Sequence, residues 1–291
     1  MRLYLTGSDG MLGTALRAAL AGGEWTVKGV SHKDHDIADA DAVACSIREF
    51  GPDVVVHAAA HAIVDDCEND PKLAMRVNIA GVRNVVEACR ETGARLVYIS
   101  SDYVFDGIEP PEGGYTETDT PNPVSVYGLT KLAGERIASA LPDSLIVRTS
   151  WLFGGTDERT DNVLAMVGRA RAGLRSELID DQFSCPTYTV DLAAALVHLL
   201  TLAPAPAGTV HVANAGAASW HQVGVHTLAT LGEAVAADLG PDAIALADCK
   251  FDGGRPVNSA LSTARLAGLG HRMPHWTDGI ERFIAALEER R

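Results

Sequence analysis

Arg2-Leu3-Tyr4-Leu5-Thr6-Gly7-Ser8-Asp9-Gly10-Met11-Leu12-Gly13 is the stretch on which the fold turns. A short apolar run stops at Thr6, glycines recur at positions 7, 10 and 13, and from Met11 onward the apolar residues take up helical spacing. A strand, a tight turn and a helix in that order place the helix N-terminus, with its unsatisfied N–H groups, at the end of the strand. The glycines allow a pyrophosphate to approach the backbone closely and the helix to pack closely on the strand. A dinucleotide is therefore the expected ligand, held by Gly7, Gly10, Met11, Leu12 and Gly13.

Outward from this unit the pattern repeats. Apolar runs at residues 3–6, 26–30, 54–57, 96–100 and 145–149 read as buried parallel strands. Helical patterns occupy residues 11–21, 40–50, 71–92 and 127–140. This alternation predicts an α/β fold, a doubly wound parallel (Rossmann) sheet with ligands at the carboxyl ends of its strands. After residue 150 the rhythm loosens. Thr189 reads as the N-cap of a helix over residues 190–202, with Asp191 in its first turn, and residues 209–213 read as one more strand. The expected division is a dinucleotide-binding domain, residues 1–153 plus about 178–215, and a smaller, discontinuous substrate-binding lobe, about 154–177 plus 216–291.

The 291 residues are 47% apolar and 21% charged, as in a globular protein with ample length for a core. Twenty-four basic against 38 acidic side chains give a formal charge of −14, which opposes binding to nucleic acid or to an anionic membrane. A nucleotide must then be held by local groups. The five cysteines form no Cys-x-x-Cys pair and are odd in number, so reduced thiols are expected rather than a disulfide framework or a zinc site, and no metal ligands are assigned. No leader-like segment precedes the first strand and no apolar run approaches the ~20 residues that span a bilayer. A cytoplasmic protein is expected.

Around the end of the second strand stand Ser31, His32 and Lys33. A lysine there suits a 2′-phosphate and favours NADPH, while Asp34 and Asp36 close by leave NADH open. Asp36 and Ile37 border the adenine in this arrangement. Ala58, Ala59 and Ala60, after the third strand, are small enough to let the chain pass beside the cofactor. Asn78, on the helix that follows Pro71, is a candidate brace for the active-site backbone or an ordinary polar residue of a helix face.

Tyr127-Gly-Leu-Thr-Lys131 follows the fourth strand, whose end carries Ser100-Ser101. Residues four apart share one helical face, so an ammonium sits beside a phenol. Positive charge favours the phenolate and lowers the phenol from its ordinary value of about 10. Ser101 would bind a carbonyl oxygen, Tyr127 would give it a proton, and Lys131 would tune the phenol and hold the nicotinamide ribose. With hydride from the dinucleotide the set makes a carbonyl reductase. The plainer reading is a helix with a half-buried tyrosine and a solvated lysine.

With these residues in view, the chain resembles the extended short-chain dehydrogenase/reductase superfamily and, within it, the dTDP-4-dehydrorhamnose reductases. The resemblance runs over nearly the whole chain. Its most specific segments are Ser100-Ser-Asp-Tyr-Val-Phe-Asp-Gly107, Pro123-Val-Ser-Val-Tyr127-Gly-Leu-Thr-Lys131, Arg148-Thr-Ser-Trp-Leu-Phe153, Asp181-Gln-Phe-Ser-Cys-Pro-Thr187 and Arg255-Pro-Val-Asn-Ser-Ala-Leu261. It implies NAD(P)H-dependent reduction of a 4-keto-6-deoxy sugar carried on a nucleoside diphosphate, and it allows a homodimer. By the same likeness Ser101, Asp102, Tyr103 and Trp151 line the sugar pocket, and Arg255 with Asn258 reaches the nucleotide. Sugar 4,6-dehydratases of the superfamily carry Asp-Glu after the active-site hydroxyl, whereas Ser101-Asp102 is followed here by Tyr103. Ser101 stands where threonine is usual, Ser184 where glycine is usual, and residues 154–161 form a variant loop. Two other readings are an epimerase of the same fold, which would recycle its cofactor, and a non-catalytic subunit similar to the β subunit of methionine adenosyltransferase.

Overall fold

The computed structural model describes residues 1–289. Its strands are β1 (Arg2–Thr6), β2 (Thr26–Val30), β3 (Val54–His57), β4 (Arg95–Ser101) and β5 (Leu145–Thr149), then the short β6 (Leu152–Phe153), β7 (Glu177–Ile179), β8 (Phe183–Ser184) and β9 (Thr187–Tyr188). After them come β10 (Gly208–His211), β11 (Ala218–Ser219) and β12 (Asp242–Ile244). The helices are α1 (Met11–Leu20), α2 (Ala40–Phe50), α3 (Val64–Asn69), α4 (Pro71–Met75), α5 (Gly81–Thr92), α6 (Val126–Ala138), α7 (Asn162–Arg171), α8 (Thr189–Thr201), α9 (Trp220–Leu231), α10 (Glu233–Leu239), α11 (Ala264–Gly268) and α12 (Trp276–Glu289). None is long and apolar enough to cross a membrane.

Six strands pair in the order β2-β1-β3-β4-β5-β10, every pair parallel. Strand alternation divides the core. Leu3 and Leu5 face one side, where α1 and α8 supply Leu12, Leu16, Leu192 and Leu196. Tyr4 faces the other, where α2 and α5 supply Val43, Ile47, Val82 and Val85. Helices on both faces make this the expected doubly wound sheet. The chain leaves β1 in one direction to reach β2 and returns across it to β3, so the switch point, where such sheets open a ligand crevice, lies between β1 and β3.

The glycine loop is built as that crevice requires. Gly7 has a φ of 70°, and a Cβ there would lie 2.8 Å from the Ala59 backbone nitrogen. A Cβ on Gly13 would lie 2.2 Å from the Gly7 carbonyl oxygen. Only glycine lets α1 start this close to β1 and β3.

Three expected elements differ. The helix over residues 71–92 is interrupted: Arg76–Ala80 form a π-helical turn between α4 and α5. Thr189 is not an N-cap. The Tyr188 N–H is held by the Asn214 carboxamide oxygen at 2.8 Å, α8 begins at Thr189 itself, and the buried Thr189 hydroxyl has no partner. The last sheet strand is Gly208–His211, one residue earlier at its start and two shorter at its end than read from the sequence.

Beyond the sheet, a separate apolar cluster gathers Phe153, Val163, Met166, Val223, Ile280 and Phe283 from β6, α7, α9 and α12. Two small pairings, β8 with β11 and β7 with β12, accompany it.

Candidate active site

At the carboxyl ends of β1, β2 and β3 lies a cavity of about 280 Å³. It is lined by nine of the expected cofactor residues: Gly7, Gly10, Ser31, His32, Asp36, Ile37, Ala58, Ala59 and Ala60. Met11, Leu12 and Gly13 form the first turn of α1 beside it, the Leu12 side chain being spent on the core. Lys33 faces a neighbouring, larger cavity with Arg17 and Ser31, and its ammonium pairs with Asp9 at 3.3 Å. Asp36 accepts from Arg76 at 2.5 Å. Arg76, which reaches Asp36 from the π turn, gave no signal in the sequence. Asn78 does not line the cavity. It is buried, donates to the His61 carbonyl at 2.9 Å and to the Thr130 hydroxyl at 3.0 Å, and accepts from the His61 N–H at 2.8 Å. It braces the loop after β3 against α6, in line with the brace read from the sequence.

Ser101 ends β4, and the helix carrying Tyr127 and Lys131 is pressed against the turn that follows it. Ser125 caps α6, accepting from the Gly128 N–H at 3.1 Å. A Cβ on Gly128 would lie 2.1 Å from the Tyr103 carbonyl oxygen, so this glycine sets how near Tyr127 comes to Ser101. The Tyr103 and Tyr127 rings meet edge to face with centroids 5.7 Å apart. The structure thus brings together Ser101, Tyr103, Tyr127 and Lys131.

Their electrostatics differ from the expectation that Lys131 acidifies the phenol. Burial pushes the Tyr127 phenol well above its ordinary value, opposed by a hydrogen bond with Ser101 and reinforced by the Asp102 charge. Lys131 is itself buried, and that lowers its ammonium to about 7. Its Nζ donates to the Ile99 carbonyl at 2.6 Å and lies 4.4 Å from the centre of the Tyr98 ring.

Asp102 does not line an open pocket. Only 1% exposed, its carboxylate receives the hydroxyls of Ser101 at 3.0 Å, Ser150 at 3.1 Å, Ser184 at 2.8 Å and Ser259 at 2.6 Å. Burial raises its carboxyl above the usual range in spite of these four bonds. Ser101 also accepts from the Tyr103 N–H at 3.2 Å. The residues contributing Ser150, Ser184 and Ser259 are far apart in sequence and share no spacing, which is why this cluster escaped the sequence reading.

Arg255 is held within the protein. Its guanidinium donates to Asp65 of α3 at 2.9 Å and to the Gly253 carbonyl at 2.8 Å and lies over the Phe251 ring. The Asn258 N–H donates to the Gly107 carbonyl at 3.0 Å, and its side-chain oxygen accepts from the Ala260 N–H at 3.2 Å. Gln182, buried beside Tyr103, donates to the Pro256 carbonyl at 3.1 Å. It lies within the quoted Asp181-Gln-Phe segment but was not singled out. Trp151 adopts a φ of 39°, and its indole stacks on Trp220 with centroids 4.0 Å apart and planes at 9°. Trp220 had no motif to mark it.

Comparison with known proteins places the chain. Residues 1–289 match the family described as RmlD substrate binding domain. The dTDP-4-dehydrorhamnose reductase of Streptomyces griseus is 38% identical over 297 residues, covering 98% of this chain and 94% of that protein. That of Sinorhizobium fredii is 33% identical over 294 residues, covering 99% and 98%. Among solved structures, a dTDP-4-dehydrorhamnose reductase from Clostridium acetobutylicum is similar with a TM-score of 0.90 at 32% identity, over 99% of this chain and 100% of that one. The Bacillus anthracis enzyme in complex with NADP gives 0.88 at 32% identity, over 98% and 99%. Sequence and fold agree along the length of the molecule, and the chain belongs to the RmlD substrate binding domain family.

Proposed function

We propose that this protein is an NADPH-dependent oxidoreductase that reduces the 4-keto group of a nucleoside-diphosphate 4-keto-6-deoxy sugar, as its dTDP-4-dehydrorhamnose reductase relatives are named for doing. The observation that carries this is the meeting of Ser101, Tyr127 and Lys131 at the end of β4, on the same sheet edge as the glycine-loop cavity. The loop fits a dinucleotide. A Cβ on Gly10 would meet little besides the Gly7 carbonyl oxygen, at 3.3 Å, and no acidic side chain occupies the first turn of α1, so backbone N–H groups and the helix dipole face clear space. Gly7, Gly10, Met11, Leu12 and Gly13 would hold the pyrophosphate, and Ser31, His32, Asp36, Ile37 and Ala58–Ala60 the adenosine. Lys33, free apart from Asp9, supports a 2′-phosphate and hence NADPH. Bound there, the nicotinamide supplies the hydride.

The chain's own residues handle the proton. A phenol raised by burial stays neutral at physiological pH, which is the form able to give a proton to a developing alkoxide. Ser101 stands beside that phenol, and Lys131, anchored on Ile99 and lowered to about 7, supplies positive charge to the phenolate in the fraction that stays protonated. Tyr103 and the half-buried Trp151 offer aromatic surface for a deoxysugar ring. In this reading residues 1–153 plus about 178–215 serve the dinucleotide, and about 154–177 plus 216–291 serve the sugar nucleotide.

The test follows NADPH absorbance against a panel of nucleoside-diphosphate 4-keto-6-deoxy sugars, with the product examined by NMR. One NADPH consumed per sugar reduced is expected. A new sugar formed without net NADPH loss would make the protein an epimerase, and no reaction with any sugar would point to a binding subunit.

A further inference from the structure

Glu135 lies four residues beyond Lys131 on α6, so the two side chains leave the same face of the helix. That face is pressed on the sheet. Glu135 Oε1 accepts from the Ser100 hydroxyl at 2.6 Å and from Arg148 Nε at 2.8 Å, while Oε2 accepts from Arg148 Nη2 at 2.8 Å. Both partners of this two-pronged pair are buried, their side chains 5% exposed. Arg148 is held in turn over the Phe105 ring and beside His211. The Glu135 carboxylate is thus fixed from β5 by Arg148 and from β4 by the residue that precedes Ser101.

Lys131 has left water for the Ile99 carbonyl and the Tyr98 ring, and burial favours loss of its proton. The titratable groups that face it come from α3, β3, β4 and α6. Cys67 of α3 has its thiol pushed up to about 11, and His57 of β3 has its imidazole held at about 3. The Tyr98 phenol of β4 and the Tyr127 phenol of α6 are raised above their ordinary values. All four are neutral at pH 7. Glu135 is the one negative charge among these groups, and its attraction for the ammonium works against burial. We propose that Glu135 is a positioning residue that acts through Lys131: a fixed carboxylate one helical turn away keeps that lysine protonated for the reaction. Arg148 and Ser100 supply the hydrogen bonds that a carboxylate in the core requires. The phenolate left on Tyr127 then meets an ammonium and not an amine.

This inference rests on the reductase reading, but its first test needs no substrate. Labelling lysine Cε with carbon-13 gives five signals to follow by NMR, and that of Lys131 is the one missing from Lys131→Met. Its titration is compared in wild type, in Glu135→Gln and in Glu135→Gln/Arg148→Met. The paired variant is included because the single one leaves a guanidinium buried without its counter-charge, which threatens folding. The Lys131 midpoint, about 7 in wild type, is expected to fall by on the order of one pH unit in both variants. An unmoved midpoint would overturn the proposal. So would a fall in Glu135→Gln that the paired variant reverses, since the bare Arg148 charge would then be its cause. During sugar reduction the alkaline limb of kcat is expected to move to lower pH together with that midpoint. A loss of kcat equal at every pH would also overturn the proposal, because Glu135 would then serve packing alone. A wild-type protein inert toward every sugar would instead sink the reductase reading and leave the lysine titration to decide this one.

Discussion

At the scale of single residues, Tyr127 and Lys131 are governed by burial before they are governed by each other. The phenol is raised and the ammonium lowered, so both favour their neutral forms. Tyr127→Phe is expected to keep NADPH binding, measured by fluorescence titration, while turnover falls by roughly 10³-fold, the range of a lost general acid. Lys33→Ala is expected to weaken binding of 2′,5′-ADP by roughly tenfold and to leave 5′-ADP unchanged in calorimetry, as removal of one charge-assisted contact would. Equal losses for both ligands would remove the 2′-phosphate role. The sequence made Tyr127, Lys131 and the glycines legible because each belongs to a local pattern tied to one strand or one helix. The hydrogen bonds of Asp102 were not legible, since Ser150, Ser184 and Ser259 meet it only in the folded chain.

Two elements set the precision of the site. The N-terminus of α6 is fixed by the Ser125 cap and by contact of Gly128 with the Tyr103 carbonyl. Ser125→Ala is expected to cost about 1 kcal/mol of stability, read by urea unfolding, with little change in turnover once folded. Gly128→Ala forces a methyl against backbone, and an overpacking cost of about 1–3 kcal/mol is expected together with a fall in kcat, because the helix must move away from Ser101. If Gly128→Ala lowered stability alone, the close approach would be irrelevant to chemistry. The second element is the π turn. Reading residues 71–92 as one helix located the segment but missed the extra residue that turns Asn78 inward and brings Arg76 to Asp36. Period alone cannot show a single-residue insertion in a helix; the tertiary bonds of Asn78 select it.

Across the whole molecule, the doubly wound parallel sheet followed from the alternation of apolar runs with helical patterns, while its strand order came only with the fold. The pairings beyond residue 150 did not, because two-residue strands such as β6 and β9 carry no period. The sheet also buries His57 and His211. Burial, aided by the Lys131 charge for the first and the Arg148 charge for the second, holds each imidazole at about 3, against an ordinary 6.5. The unfolded chain therefore takes up these protons first. Their stabilisation is complete above pH 6.5 and is lost as pH falls from there toward 3, by roughly 1.4 kcal/mol per pH unit for each imidazole. Urea unfolding at pH 7 and pH 5 should show this decline, and His211→Asn should reduce its slope.

The face-to-face contact of Trp151 with Trp220 carries one more consequence. Trp151 leaves the main sheet after β5, whereas Trp220 opens α9, so the stack ties the end of β5 to the start of α9. Parallel indoles this close couple their electronic transitions and give a paired-sign band in far-ultraviolet circular dichroism. The protein thus contains its own optical gauge of whether α9 stays seated on the turn after β5, readable in solution without any label.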